Sequence, residues 1–295
     1  MSEQNDNPNH KPTLLAVLAH PDDETFGTGG TLALYAHKGV EVYLVCATRG
    51  EVGEVDPRLL RGFESVADRR EAELRCAAEM LNLAGVYFMG YRDSGMPGSP
   101  DNHHPQALAA QPQDKVAVEI AYFIRKLRPQ VVITFDPMGG YGHPDHIAIH
   151  KAATQAFEMA GDPEVKVEED LPPYSPQKLY YNVIPRSFIR AGIFTLRLFG
   201  KDPHRFGSNG DIDLVEIAQM NFPVTTKIDY APVAKIREEA ANCHESQGGR
   251  QQAKGIIPAL RRLFGGSETF MRVQPPVENR KKERDLFEGV RVHQG

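Results

Sequence analysis

Four short apolar runs, each separated from the next by a segment of helical periodicity, constrain this sequence to an α/β fold. The runs occupy residues 13–19, 40–47, 85–89 and 130–135. In the segment before the fourth run, Val116, Ile120 and Ile124 recur at helical spacing. Strands that alternate with helices are typical of a mostly parallel, Rossmann-like sheet covered by helices on both faces. We expect that architecture here.

The periodicity weakens beyond residue 160. The elements predicted there are strands at residues 178–184 and 224–229 and a helix at residues 232–243. No repeat or low-complexity linker divides the chain. We therefore expect one domain over residues 1–295, with a core at residues 13–150 and a less regular C-terminal part, residues 151–295, that shapes a pocket.

Two clusters of His and acidic residues directly follow apolar runs. Residues 19–24 read Ala-His-Pro-Asp-Asp-Glu after the first run, and residues 141–146 read Tyr-Gly-His-Pro-Asp-His after the fourth. In an open α/β sheet, ligands bind in the crevice outside the carboxyl ends of the strands. We therefore expect the two loops to converge on one site. Residues 90–113, which are rich in Pro and Gly, are predicted to form a wall of that site.

The two loops carry enough ligands for a catalytic metal site. Such zinc sites commonly have three His or carboxylate ligands and leave a fourth position for water, and His20, Asp23 and His146 satisfy that count. The structural alternatives are turn formation by the Pro-Asp steps and helix capping by the second loop. His150 makes a rival pair with His146 on one helix face, but that pair leaves the carboxylates of the first loop unused.

The overall composition argues against several classes of partner. The net charge of −5 does not favour a nucleic-acid surface, and no run approaches the roughly 20 apolar residues of a membrane span. Residues 1–11 lack the features of a secretory signal. Cys46, Cys76 and Cys243 are too scattered for a disulfide framework. We therefore assign the cysteines no role and expect a cytoplasmic protein with no membrane or nucleic-acid partner.

Taken together, the two clusters resemble the motifs of the zinc-dependent N-deacetylases known as the LmbE-like or PIG-L family. That family includes N-acetylglucosaminyl-phosphatidylinositol de-N-acetylase and the deacetylases of mycothiol and bacillithiol synthesis. Further matches are residues 39–48, 90–96 and 244–247 and the pair Arg70-x-x-Glu73. The resemblance is continuous over residues 13–150 and holds only at points beyond. Residues 185–223, where the aglycone would be chosen, match nothing.

The resemblance implies a role for each of nine residues. The zinc ligands that it implies are His20, Asp23 and His146. The catalytic residues that it implies are Asp22 as general base, His143 as oxyanion donor and acid to the leaving amine, Asp145 as the residue that orients His143, and Tyr141, which polarises the acetyl carbonyl. The sugar-holding residues that it implies are Arg70 and Asp93.

These residue types also suit amide hydrolysis on chemical grounds. An amide carbonyl is a poor electrophile, and a bound metal lowers the pKa of water to about 7 and steadies the developing oxyanion. We expect a hydrolase that removes the acetyl group from an N-acetylglucosamine-type sugar conjugate. Its cofactor is Zn2+, or Fe2+ in the cell, because His and carboxylate ligands accept both metals. Its partner is a small amino-sugar substrate, and a homo-oligomer is left open.

Three alternatives remain open at this point. An amidase that cuts a larger acyl group from the same amino-sugar nitrogen would differ in the size of the pocket around the acyl carbon. A metal-dependent phosphoesterase commonly uses two metal ions, which is more than this ligand set supplies. A non-catalytic binder of sugar or metal would need neither Asp22 nor His143.

Overall fold

A seven-stranded sheet forms the centre of the protein. The computed structural model describes residues 11–206, 210, 212–249, 266–277 and 282–291. The strands are β1 (Thr13–Leu18), β2 (Glu41–Thr48), β3 (Gly85–Tyr91), β4 (Val131–Phe135), β5 (Lys178–Asn182), β6 (Thr226–Asp229) and β7 (Ser267–Gln274). Their order across the sheet is β3-β2-β1-β4-β5-β7-β6. Residues 1–10, which make up most of the segment considered for a secretory signal, lie outside the described residues.

Strands β1 to β5 are parallel, and β7 runs antiparallel to both of its neighbours, β5 and β6. The predicted α/β class with a mostly parallel sheet is therefore confirmed. Every residue of β1 is buried because both faces of a parallel sheet are covered, so this run has no alternating polar positions. The sequence analysis missed β7. Only two of its residues are buried, which leaves no regular alternation to detect.

The structure also describes α-helices along the chain. They are α1 (Asp23–Phe26), α2 (Gly29–His37), α3 (Val66–Leu81), α4 (Gln113–Leu127), α5 (Gly139–Gly142), α6 (Pro144–Met159), α7 (Arg186–Leu198), α8 (Leu214–Ile217) and α9 (Ala234–Cys243). Ser65 caps α3 by accepting a hydrogen bond from the Asp68 N–H, and Asn82 ends it in the left-handed conformation. None of the helices in the described part of the chain is long and apolar enough to cross a membrane.

Two of the three cysteines are paired, which the sequence analysis did not expect. Cys76 of α3 and Cys243 at the end of α9 form a disulfide across a sequence separation of 167 residues. The expectation of no role for these cysteines was wrong, because their spacing in the sequence does not reveal that α3 packs against α9. Cys46 is free and buried in β2.

The topology brings the two charged loops together. Strands β1 and β4 are neighbours, with Leu14 paired to Val131, so their carboxyl ends lie side by side. The chain leaves β1 into α1, and it leaves β4 through α5 into α6. Both loops therefore open on the same crevice at the end of the sheet.

Candidate functional site

The three side chains predicted to hold a metal meet at this crevice. Nδ1 of His20 lies 3.1 Å from Nε2 of His146. The carboxylate of Asp23 contacts both rings, with Oδ1 3.3 Å from His146 Nε2 and Oδ2 3.5 Å from His20 Nδ1. Ligand atoms of a tetrahedral site with bonds of about 2.0–2.1 Å lie roughly 3.4 Å apart. The observed separations fit a single metal ion.

The hydrogen bonds of the other ring nitrogens indicate which nitrogen of each ring is free to bind a metal. Nε2 of His20 lies 3.1 Å from Oδ2 of Asp145, and Nδ1 of His146 lies 3.0 Å from the carbonyl oxygen of Gly139. Both partners only accept hydrogen bonds, so each neutral ring donates from that nitrogen and carries a lone pair on the other. Two lone pairs 3.1 Å apart repel unless a proton or a metal ion lies between them. The donor set therefore fits a divalent metal, with the outer partners orienting each ring.

Carboxylates surround His20. Burial alone lowers the pKa of His20, but the carboxylates of Asp93, Asp145 and Asp23 outweigh burial and raise this pKa well above its ordinary value. The negative charge that favours a proton on the ring also favours a metal ion. Proton and metal therefore compete for the same nitrogen.

Other side chains lie close enough to share the site. The groups with donor atoms within 4.8 Å of one another are His20, His143 and His146, and His20, Asp93, His143 and Asp145. Within the described ranges, neither group includes His150, the rival ligand weighed from the sequence. Its Nδ1 lies 2.9 Å from the carbonyl oxygen of Phe135, and its ring packs on Tyr181. His150 therefore faces away from the site.

Asp22 is held beside His20 and Asp23 in a strained backbone conformation. Its φ of 134° is rare for a residue with a side chain and costs about 1–3 kcal/mol unless neighbours enforce it. Its carboxylate is 18% exposed and accepts a 3.1 Å hydrogen bond from Arg70 Nη2. Burial raises the pKa of Asp22 to about 6, although the charge of Arg70 opposes the rise. A carboxylate with a pKa near neutrality suits a general base.

Arg70 and Asp93, which the resemblance implies as sugar-holding residues, are buried and bonded to other residues of the site. Arg70 is 4% exposed and donates to the carbonyl oxygens of Pro21 at 2.9 Å and Gly50 at 3.2 Å, in addition to Asp22. Asp93 is 3% exposed, and its Oδ1 accepts from the Gly95 N–H at 2.8 Å and lies 3.5 Å from His20 Nε2. Their role in holding the sugar stays a prediction. Arg70 supports Asp22, and Asp93 supports His20.

Gly50 explains how Arg70 reaches that position. A Cβ atom on Gly50 would lie 2.2 Å from the guanidinium Nη1, and the φ of this residue is +69°. The backbone after β2 can therefore pass directly over the guanidinium only because this residue is glycine.

The sequence analysis expected Asp145 to orient His143. In the structure, the carboxylate of Asp145 contacts other residues instead. It accepts hydrogen bonds from the backbone N–H of Ser94 at 2.9 Å and from the Ser94 hydroxyl, and it receives the His20 ring. The contact with His143 comes from the Asp145 backbone N–H, which donates to His143 Nδ1 at 3.2 Å and caps α6. Burial, with the nearby rings of His20 and His146, lowers the pKa of His143 to about 2. His143 is therefore neutral, with its proton on Nε2.

Tyr141 lies in the turn between β4 and α6. Its ring packs edge-on against His146 at 5.0 Å and against His143 at 6.1 Å. The preceding Gly140 has a φ of 73°, which allows the chain to turn here. Burial raises the pKa of Tyr141 above its ordinary value, so the hydroxyl keeps its proton and can donate.

A cavity of about 730 Å³ opens beside the site, and Asp23, Tyr141 and His146 are among its lining residues. The rest of its wall comes mainly from residues 182–188 and 221–224, which include Phe188 and Phe222. The predicted wall, residues 90–113, does not line this cavity. Its residues Asp93 and Ser94 contact His20 and Asp145 instead.

The sequence analysis missed two features of the site. Ser94 received no role, although it directly follows Asp93 in a segment that resembled the family. Glu24 and His244 form a fully buried pair, with 2.7 Å between Glu24 Oε1 and His244 Nε2. The motif at residues 244–247 was the one sequence signal for that contact.

Sequence comparison finds close relatives with a named activity. Residues 15–157 match the profile of a family described as GlcNAc-PI de-N-acetylase, PIG-L. A 1D-myo-inositol 2-acetamido-2-deoxy-alpha-D-glucopyranoside deacetylase of Streptomyces avermitilis is 39% identical over 291 residues, which cover 94% of this chain and 97% of that protein.

Two solved structures share the fold. An N,N'-diacetylchitobiose deacetylase from Pyrococcus horikoshii matches with a TM-score of 0.59 and 23% identity, over 88% of this chain and 83% of that one. A 4-carboxy-2-hydroxymuconate hydratase from Pseudomonas putida matches with a TM-score of 0.58 and 21% identity, over 91% of this chain and 98% of that one. A deacetylase and a hydratase share this fold, so the fold alone does not determine the reaction.

Proposed function

Because this chain belongs to the GlcNAc-PI de-N-acetylase (PIG-L) family, we propose that it is a zinc-dependent hydrolase that removes the acetyl group from an N-acetylglucosamine-type sugar conjugate. One observation carries the proposal: the lone-pair nitrogens of His20 and His146 face each other at 3.1 Å beside Asp23. Asp22, next to Asp23 in the chain, supplies a base with a pKa of about 6.

We assign His20, Asp23 and His146 as the zinc ligands. Asp23 is preferred to His143 as the third ligand because its oxygens approach both facing nitrogens to 3.5 Å or less. Its negative charge also offsets part of the charge of the cation. Zinc suits this mixed His and carboxylate set, and iron(II) accepts the same ligands.

The reaction follows from the positions of the remaining side chains. When bound, the metal supplies a Lewis acid that polarises the acetyl carbonyl and lowers the pKa of water. Asp22 accepts a proton from the attacking water and returns it to the amine nitrogen as the C–N bond breaks. His143 donates from Nε2 to the oxyanion, and the Tyr141 hydroxyl is a second donor. Asp145 and Asp93 accept from Nε2 of His20 and so orient the ring with Nδ1 toward the metal position.

The substrate class follows from the relatives together with the size of the cavity. The relatives from Streptomyces and Pyrococcus are named for substrates that carry acetamido sugars. A cavity of about 730 Å³ lies within the roughly 300–1,000 Å³ of small-molecule sites. We therefore propose a soluble N-acetylglucosaminide as substrate, with the aglycone against residues 182–188 and 221–224.

The domain organisation, the oligomeric state and the location in the cell stay predictions. The shared sheet of β1 to β7 supports a single domain, and an oligomeric state remains open. The cytoplasmic location is weakened by the disulfide between Cys76 and Cys243, because disulfides are uncommon in the cytoplasm.

The experiment that tests the proposal is a substrate panel with zinc-loaded enzyme. The panel contains N-acetylglucosamine, its inositol glycoside, the matching N-propionyl and longer acyl sugars, an acetyl-lysine peptide and a phosphate ester. We expect free amine and acetate in equal amounts from the acetylated sugars. Preference for the longer acyl groups would favour the amidase. Hydrolysis of the peptide or the phosphate ester alone would contradict the proposal.

A further inference from the structure

The backbone of Asp22 is held by residues that closely follow it, Glu24, Thr25 and Phe26. Its φ of 134° and ψ of −26° are not the outcome of local preference for a residue with a side chain. The Asp22 carbonyl oxygen accepts from the N–H groups of Thr25 and Phe26 at 3.0 and 2.9 Å. The Asp22 N–H donates to Glu24 Oε2 at 2.9 Å. Glu24 therefore fixes the peptide on the N-terminal side of Asp22.

Glu24 is in turn fixed by His244. Both side chains are fully buried, and His244 Nε2 donates to Glu24 Oε1 at 2.7 Å. A buried carboxylate is costly without a donor or a positive partner. His244 supplies that partner from a position 220 residues away in the sequence.

Helix α3 holds His244 in place. The disulfide between Cys76 and Cys243 joins α3 to the residue before His244. Two residues after His244, Ser246 donates to the Glu73 carboxylate from its backbone N–H at 2.8 Å and from its hydroxyl at 2.6 Å. The segment that carries His244 is therefore attached to α3 on both sides.

The same helix reaches the carboxylate of Asp22 through Arg70. One route from α3 therefore ends on the Asp22 side chain, with 3.1 Å between Arg70 Nη2 and Asp22 Oδ2. The other route passes through His244 and Glu24 and ends on the Asp22 backbone. Glu24 and His244 are fully buried, so any effect they have on catalysis passes through the loop that they hold.

We propose that Glu24 and His244 form a positioning pair that holds the backbone of Asp22 in the orientation in which its carboxylate can take the proton from water. This inference rests on the proposed function, in which Asp22 is the base. A displacement of about 1 Å at a reacting group can reduce the rate roughly 100-fold. The pair therefore controls kcat without contacting substrate.

The test compares His244→Leu, which removes the imidazole donor and leaves the Thr25 hydroxyl on Glu24 Oε1, with His244→Gln, whose amide nitrogen can still donate to Glu24. We expect His244→Leu to lower kcat about 10- to 100-fold with KM and metal content unchanged, and His244→Gln to restore most of the loss. The control is Lys178→Met, which breaks a different buried ion pair, Lys178 with Glu283 at 2.9 Å. Lys178→Met should lower the melting temperature, and its kcat, calculated per metal-loaded chain, should not change.

A double-mutant cycle distinguishes positioning of the base from general weakening of the fold. If His244 acts through Asp22, His244→Leu should change kcat less than about twofold in an Asp22→Asn background. The inference would be overturned if the effects of His244→Leu and Asp22→Asn on kcat multiply in the double variant. It would also be overturned if Lys178→Met lowers kcat as much as His244→Leu does.

Ser246→Ala serves as the milder variant if His244→Leu does not fold. It should lower kcat about two- to tenfold, again only when Asp22 is present, and an unchanged kcat would overturn the inference. Failure of the proposed function has a different signature, because the wild-type enzyme would then release no acetate from any sugar of the panel.

Discussion

Replacing Arg70 with Met should move the acidic limb of the activity profile to higher pH. The guanidinium donates to the Asp22 carboxylate at 3.1 Å and opposes the rise that burial causes in the pKa of Asp22. The charge of Arg70 is the largest effect that lowers this pKa. Without it, the pKa of Asp22 rises further. Only the deprotonated carboxylate can accept a proton. Activity is therefore present above the pKa of Asp22 and is lost as the pH falls through it.

The magnitude follows from the distance between the charges. Two unit charges 3.1 Å apart at an effective dielectric constant of about 20 attract by about 5 kcal/mol, which limits the rise in pKa to roughly 4. Water that enters the space left by the guanidinium reduces the effect, so we expect a rise of about 1 to 2. From a starting pKa of about 6, the active fraction at neutral pH falls from roughly nine-tenths to between about one half and one tenth.

The assay is kcat/KM of zinc-saturated enzyme between about pH 5 and about pH 9, for wild type, Arg70→Met and the charge-preserving control Arg70→Lys. Arg70→Met should lose most activity at low pH and approach the control at high pH. A loss of equal size at every pH would refute the reasoning. It would indicate that Arg70 acts on the substrate, as the family resemblance implies.

The other predictions concern the metal, the base and the disulfide. His20→Ala, Asp23→Ala and His146→Ala should each reduce the metal content measured by elemental analysis, and full occupancy in all three would refute the ligand assignment. Asp22→Asn should keep the metal but lose about 10²–10⁴-fold in kcat; near-normal turnover would require another base. Cys76→Ser opens a disulfide with a separation of 167 residues, so the free energy of unfolding measured in denaturant should fall by up to about 5 kcal/mol. If neither Cys76→Ser nor a reductant changes the denaturant concentration at the unfolding midpoint, this prediction is refuted.

The part of the site that sequence reasoning predicted depends on the sheet. The uninterrupted apolar runs of β1 and β4 indicate neighbouring buried strands, and residues directly after such strands must lie at one edge of the sheet. His20, Asp23 and His146 could therefore be brought together without knowing any side-chain orientation. The helices α4 and α9 were found for a similar reason, because each buries residues at helical spacing.

The direction in which a side chain points is not encoded in spacing. Arg70 and Asp93 were expected to face a sugar, but their partners are Asp22 and His20, which only the three-dimensional packing of α3 and of the loop after β3 determines. The pairing of Cys76 with Cys243 depends on helix packing in the same way. Helix α7 was missed although its buried residues Ile189, Ile193 and Leu196 recur at helical spacing, so the sequence did carry a signal for it.

The most direct test of the account is acetate release by metal-stripped enzyme before and after zinc is restored. The substrate is the inositol glycoside of N-acetylglucosamine, and free amine is measured in the same samples. The account predicts almost no product from the stripped enzyme. Restoring one zinc ion per chain should recover activity, with one amine formed for each acetate, and it should fail to do so in His146→Ala. Hydrolysis that is unaffected by removal of the metal, or that zinc restores equally in His146→Ala, would contradict the account.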